Sequence, residues 1–133
     1  MHRLMNSVVV PRPIAWVSTL SIDGVENLAP HSYFTVASAV PAILQFTSVG
    51  HNDSLTNAVD TGEFVISLSS RPMFEQINAT GTGYPAEISE FEAVGVNSDD
   101  CQNRLVISEL PRVEFGWCEG LWRIERVGIA AGE

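Results

Sequence analysis

Two groups of residues in this sequence have types and spacing that suit chemistry. The first is Asn27, Ala29, Pro30, His31, Ser32 and Phe34, crowded together where an alternating apolar stretch ends. Amide, imidazole and hydroxyl groups held at fixed depth beside a proline and an aromatic ring can grip a flat polar ligand. The polar atoms would meet its edge and the apolar ones its face. The same residues also suit an ordinary strand-to-loop junction, with Asn and Pro as turn formers. The second group is Ser48-Val49-Gly50-His51-Asn52-Asp53-Ser54, directly before a helical pattern. A helix start collects anions through its free N–H groups and its dipole, and Ser54 adds a hydroxyl there. A plain capped helix is the alternative. Ser18 and Thr19 place hydroxyls in an otherwise apolar strand, which a core strand does not favour unless they are bonded. They read either as ligand contacts or as hydroxyls paired to a neighbouring strand.

Other chemistries lack support. No HExxH, GxSxG or phosphate-binding P-loop signature occurs, and Gly81-Thr82-Gly83 lacks the third glycine of a dinucleotide fingerprint. A lone His31 beside a polar loop is more often structural than acid–base, so no catalytic residue and no metal ligand are named. Glu87, Glu90, Glu92, Asp99 and Asp100 read as solvated faces and loops. Cys101 and Cys118 form neither a CxxC nor a ligand set, and read as two free thiols in a reducing compartment.

The elements that must position these groups follow from periodicity. Ile14, Trp16, Leu20 and Ile22 share one face at period two; Ala15, Val17, Thr19 and Ser21 share the other. Asp23-Gly24 predicts a two-residue type I′ hairpin turn, and the residues from Asn27 to Phe34 then predict a polar loop. Thr35–Val40 reads as weakly structured, and 42–49 as a strand with Leu44 and Phe46 on one side. Asp53 is the expected N-cap of a short helix closed by Gly62. A strand follows over 63–69. A second helix is capped by Ser70, with Met73, Phe74 and Ile77 buried. Ser89 and Glu92 have capping-box spacing before a helical turn ending near Gly95. Residues 97–103 read as a loop, and 104–129 as strand-like, with Val113, Phe115 and Trp117 alternating. About five or six strands with short helices between them predict a small β-barrel.

The chain has 133 residues, enough for one domain, and 45% of them are apolar, which supports a packed core rather than disorder. A net charge of −9, from 16 acidic and 7 basic residues, argues against nucleic acid or an anionic membrane as a general partner. There is no run of 18 apolar residues, so no membrane span is expected. The apolar patch before Pro11 is too short for a secretory signal, and a cytoplasmic location is the expectation.

The segment VVVPRPIAWVSTLSIDGVENLAPHSYF closely resembles the opening of the flavin reductase-like, FMN-binding split-barrel family. That family shows a P-R-P-I-A-x-V-S-T run, an acidic-Gly turn and then N-x-A-P-x-S-x-F. Pro11 to Ala15, Val17 to Thr19, Asp23-Gly24, Asn27, Ala29, Pro30, Ser32 and Phe34 match it. The match weakens toward Gly95 and is faint beyond Leu105.

The resemblance implies a mainly β fold with short helices, a split β-barrel of FMN-binding type. Residues 1–133 would form one flavin reductase-like domain, short at both ends, that pairs as a homodimer with flavin at the subunit interface. It implies an oxidoreductase that takes hydride from NAD(P)H to bound FMN. A flavin-binding carrier or sensor without turnover, or a structural domain with a decayed site, is the alternative. The implied cofactor contacts are Asn27, Ala29, Pro30, His31, Ser32 and Phe34 on the ring, Ser18 and Thr19 on the ribityl chain or phosphate, and Ser48, Gly50, Asn52 and Ser54 on the phosphate. Family members often carry a lysine where this chain has Asn52. A phosphate charge would here have to be met by His51, Arg12 or Arg71.

Overall fold

In the computed structural model, residues 2–40, 42–97, 104–107, 114–118 and 121–125 are described. The order is α1 (His2–Val8), β1 (Ala15–Leu20), β2 (Glu26–His31), β3 (Phe34–Ala39), β4 (Ala42–Val49), α2 (Asp53–Thr61) and β5 (Phe64–Leu68). A 3₁₀ turn (Arg71–Met73), α3 (Phe74–Ala79) and α4 (Glu90–Val94) follow, then β6 (Arg104–Ile107), β7 (Glu114–Cys118) and β8 (Leu121–Glu125). The fold is mostly β with short helices. Its strands form two four-stranded sheets, ordered β2-β1-β5-β6 and β3-β4-β8-β7. Among the described residues no ladder joins the two sheets, so the expected barrel is seen as two antiparallel sheets with open edges.

Strand β1 is the central beam because both of its faces are covered. On the inner face Ala15 and Val17 meet Phe46, Leu55, Ala58, Phe64 and Ile66, all buried. The Phe46 and Phe64 rings cross edge-on at 5.1 Å. On the outer face Trp16 packs with Leu28, Ile77, Phe91 and Val96, under α3 and α4. That cover ends early: Leu20 and Ile22, expected to continue the Trp16 face, are 50% and 75% exposed.

The hairpin joining β1 to β2 differs from the expected two-residue turn. Gly24 N–H donates to Ser21 C=O at 3.0 Å, and Ser21 N–H to Val25 C=O at 2.9 Å, which leaves a three-residue loop. Gly24 takes φ 84, the left-handed position that closes such loops without a Cβ clash.

Asn27 to His31 are not a loop. They pair with β1 along its whole length, from Thr19↔Asn27 to Ala15↔His31. Pro30 is tolerated because β2 is a sheet edge, where its missing N–H breaks no ladder. Phe34–Ala39 is likewise a strand, antiparallel to β4 with a register shift between Val36 and Ser38. Phe74, expected in the core, is 67% exposed at the start of α3, where Ile77, one turn on, is the buried residue.

Gly62 closes α2 at φ 71 and Gly95 closes α4, as expected. Ser89 makes no side-chain cap bond, so the expected capping box does not form. The 98–103 loop, Cys101, Val113 and the end of the last strand lie outside the described residues. For β6–β8, including Phe115, Trp117 and Cys118, the backbone alone is described. No described helix is long and apolar enough to cross a membrane.

Candidate functional site

A cleft of about 290 Å³ opens between the exit of β2, the start of α2 and the 80–84 loop. Asn27, Ala29, Pro30, His31, Ser32, Asn52 and Ser54 line it. Strand alternation explains the first set: Asn27, Ala29 and His31 pair with Thr19, Val17 and Ala15, so they share the inner face. Helix α2 packs against the β1–β2 pair and brings Asn52 and Ser54 to the same opening.

The floor is a closed amide–hydroxyl net. Asn27 Nδ2 donates to Ser54 Oγ at 3.0 Å and to Thr19 Oγ1 at 3.1 Å, and Asn57 Nδ2 donates to Thr19 Oγ1 at 3.1 Å. All four residues are buried. Thr19 therefore lies beneath the cleft and orients Asn27 rather than lining the wall.

Asn52, not Asp53, caps α2. Its Oδ1 accepts from Leu55 N–H at 3.0 Å with an extended backbone, φ −147, while Asp53 is the first helical residue. Asn52 thus uses its acceptor on the helix itself.

His31 is buried, with its ring 4.7 Å from Phe46. Burial pulls its pKa down to about 4, against the opposing pull of a hydrogen bond with the Thr47 backbone. The imidazole is neutral at pH 7. Its Nε2 is buried and has no hydrogen-bond partner. Buried polar atoms are nearly always paired, so this one has capacity for a partner from outside the chain.

Besides Thr19, four expected contacts do not line the cleft. Ser18 pairs with Leu28 and Val65 and so lies on the opposite face of β1, with Trp16. Phe34 packs against the inner core. Ser48 is fully buried and its hydroxyl donates to Gly50 C=O at 3.1 Å, which shapes the turn into α2. Gly50 supplies that turn at φ 81.

The structure adds wall residues that the sequence reading did not assign: Tyr33, Thr47, Val49, Asp53, Thr80 to Tyr84, and Glu90. The 80–84 loop is anchored by Trp16 Nε1, which donates to Thr80 Oγ1 at 2.9 Å. Gly81 lies so close to Pro30 that a Cβ there would meet its Cγ at 3.3 Å.

Glu90 is not solvated. It is buried, and its Oε2 accepts from Leu28 N–H at 3.0 Å, which satisfies a donor on the edge strand. Burial raises its pKa, opposed by that hydrogen bond; the charge of Asp53 pushes the same way as burial.

The charged side chains on the wall are thus Asp53 and Glu90, and no Lys or Arg is among the lining residues. Neither His51, Arg12 nor Arg71 lines the cleft. Arg12 instead donates to Asn6 at 3.3 Å and lies over the Tyr33 ring at 5.6 Å.

The chain spans about half the length of the curated relatives it matches. An uncharacterized protein of Aquifex aeolicus is 38% identical over 104 residues, 74% of this chain and 53% of that protein. The uncharacterized protein YwrF of Bacillus subtilis is 39% identical over 93 residues, 67% of this chain and 45% of that one. Among solved structures, nitrilotriacetate monooxygenase component B from Bacillus cereus superposes with a TM-score of 0.80 at 25% identity, covering 93% of this chain and 70% of that one. Flavoredoxin of Desulfovibrio vulgaris shares the fold, with a TM-score of 0.72 at 13% identity, over 94% of this chain and 72% of that one. The family profile described as flavin reductase like domain matches residues 5–114. That match covers most of the chain, and with it the chain belongs to the flavin reductase-like domain family.

Proposed function

We propose that the chain binds FMN in the β2–α2 cleft and works as an NAD(P)H-dependent flavin oxidoreductase. The observation that carries this reading is the cleft wall itself. It combines inward-facing polar residues of β2 with a buried His31 ring whose Nε2 lacks a partner. An isoalloxazine has polar atoms along one edge and apolar faces, and such a wall fits both. Pro30, Ala29 and Val49 would border the ring, while His31 and the β2 exit would meet its edge. Bound FMN would supply the redox chemistry, taking hydride from the nicotinamide. The chain's residues align the ring and exclude water, and the amide–hydroxyl net of Asn27, Thr19, Ser54 and Asn57 holds the wall rigid.

The phosphate end fits less well. Ser54 Oγ already accepts from Asn27, Asn52 is occupied as the cap, and Asp53 and Glu90 are acidic. This favours a second reading, a flavin-binding carrier or sensor with weak retention and little turnover. Anaerobic mixing of the FMN-loaded protein with NADH and NADPH separates the two. Bleaching of the flavin band near ~450 nm on a catalytic timescale supports the oxidoreductase, and a stable yellow complex supports the carrier.

The sheet edges at β2, β3, β6 and β7, unpaired among the described residues, motivate a homodimer that would complete a split barrel, with one such chain as one domain. Light scattering that returned a monomer at micromolar concentration would remove this part. A cytoplasmic setting, where reduced nicotinamides are abundant, goes with the same reading.

A further inference from the structure

Among the described residues, the two charged side chains that line the β2–α2 cleft are both acidic: Asp53 from the first position of α2 and Glu90 from α4. They already oppose each other, since the charge of Asp53 adds to the upward push of burial on the Glu90 carboxyl. A helix start ordinarily draws an anion. At α2 that place is taken: Asn52 Oδ1 accepts from Leu55 N–H at 3.0 Å, and the Asp53 carboxylate meets the helix dipole.

Three of the wall's hydroxyls spend their hydrogens within the chain. Tyr33 Oη donates to Asn6 Oδ1, Thr80 Oγ1 to Ile77 C=O at 2.9 Å and Thr82 Oγ1 to Ala79 C=O at 2.6 Å. What they can still offer a ligand is a lone pair. His31, 7% exposed on the same wall, is a further acceptor. Thr47 N–H already donates to Tyr33 C=O at 2.9 Å, so the Thr47 group left for the imidazole is its C=O, and the ring donates to it. The other nitrogen, Nε2, carries a lone pair and has no partner. Such a wall suits a ligand rich in N–H and O–H donors and disfavours an anion.

We propose that this cleft selects the unphosphorylated flavin, with ribityl hydroxyls donating to the Asp53 carboxylate, and that FMN binds as the weaker of the two. The proposal rests on the flavin reading and names which flavin the site takes. A ribityl chain is a row of O–H donors. A carboxylate has lone pairs only, so it accepts from such a chain and repels a phosphate.

The test is titration of the full chain with lumiflavin, riboflavin and FMN, followed by flavin fluorescence, at low and high salt, for wild type and D53N. Lumiflavin has the ring without the ribityl chain. At low salt, wild type should bind riboflavin roughly threefold tighter than FMN, the size of one partly exposed charge interaction, and also tighter than lumiflavin. Added salt should tighten FMN, because the contact is repulsive, and leave neutral riboflavin unchanged. D53N keeps an acceptor oxygen without the charge, so it should bring FMN level with riboflavin. Asp53 makes no cap bond, so the fold is expected to hold, and thermal melts check this. If the variant does not fold, the salt series on wild type decides alone. FMN bound more tightly than riboflavin, FMN weakened by salt, or riboflavin no tighter than lumiflavin overturns the proposal while the flavin reading stands. Failure of all three ligands to bind overturns the flavin reading, and the proposal with it.

Discussion

Asn27 and Ser54 meet across the junction of β2 and α2, with Asn27 Nδ2 3.0 Å from Ser54 Oγ. The same amide nitrogen reaches Thr19 Oγ1 on β1 at 3.1 Å, so one side chain ties two strands and a helix together at the base of the cleft. Asn27→Ala removes both donors and leaves buried hydroxyls without them. The expected loss of stability is about 1–3 kcal/mol, read from urea denaturation. Ser54→Ala should also destabilise, because its hydroxyl belongs to this net; an unchanged denaturation midpoint in both variants would show that the net carries no weight.

The cap of α2 distinguishes two adjacent residues. Asn52→Ala should cost about 1 kcal/mol, since it deletes the acceptor for Leu55 N–H. Asn52→Lys should show the same loss, which sets a limit on any gain in phosphate affinity from the added charge. Asp53→Ala removes no cap bond and withdraws a carboxylate from the cleft wall, so FMN should bind it more tightly than wild type, and the margin should narrow with salt. Equal stability losses at the two positions would return the cap to Asp53.

The burial of His31 gives a signature in acid. Its folded pKa of about 4 lies below the ordinary 6.5, so between those values the unfolded chain binds a proton that the folded chain refuses. Above pH 6.5 this group costs nothing; as pH falls through the window, the folded state loses stability. Wild type should lose about 2–3 kcal/mol more than His31→Gln between pH 7.5 and pH 4. Parallel stability curves for the two proteins would contradict the neutral buried imidazole.

Glu90 slopes the other way. Its raised pKa means the folded state holds a proton that the unfolded chain gives up above the ordinary 4.5, so its contribution falls as pH rises through that range. Glu90→Gln keeps an acceptor for Leu28 N–H without the buried charge. The variant should gain in stability relative to wild type from pH 4.5 to pH 7, as followed by thermal melts. A variant that is less stable at pH 7 than at pH 4.5, relative to wild type, would mean the carboxylate is paired and not merely desolvated.

The strands β1, β4 and β5 and the C-terminal ends of α2 and α4 are legible because local rules fix them. Alternation marks β1 and puts Leu44 and Phe46 on one side of β4, the side that the structure packs into the core, and Gly62 and Gly95 mark the ends of α2 and α4. Polar strand residues were not, because Asn27, Pro30 and His31 carry turn-like chemistry while pairing with β1 decides their conformation. The wall added by Thr80 to Tyr84 and Glu90 depends on contacts distant in sequence, such as Trp16 with Thr80 and Leu28 with Glu90, which leave no local pattern. The choice between Asn52 and Asp53 as cap turned on one residue of register, the least certain feature of any helix boundary.

The central claim is that the cleft between β2 and α2 is the flavin site, and amide NMR of the labelled 14.5 kDa chain tests it most directly. On titration with FMN, the account predicts saturable shifts concentrated at residues 27–33, 52–54 and 80–84, with little change at 71–78. Shifts that centre on Arg71 to Asn78, or no saturable shifts at all, would contradict it.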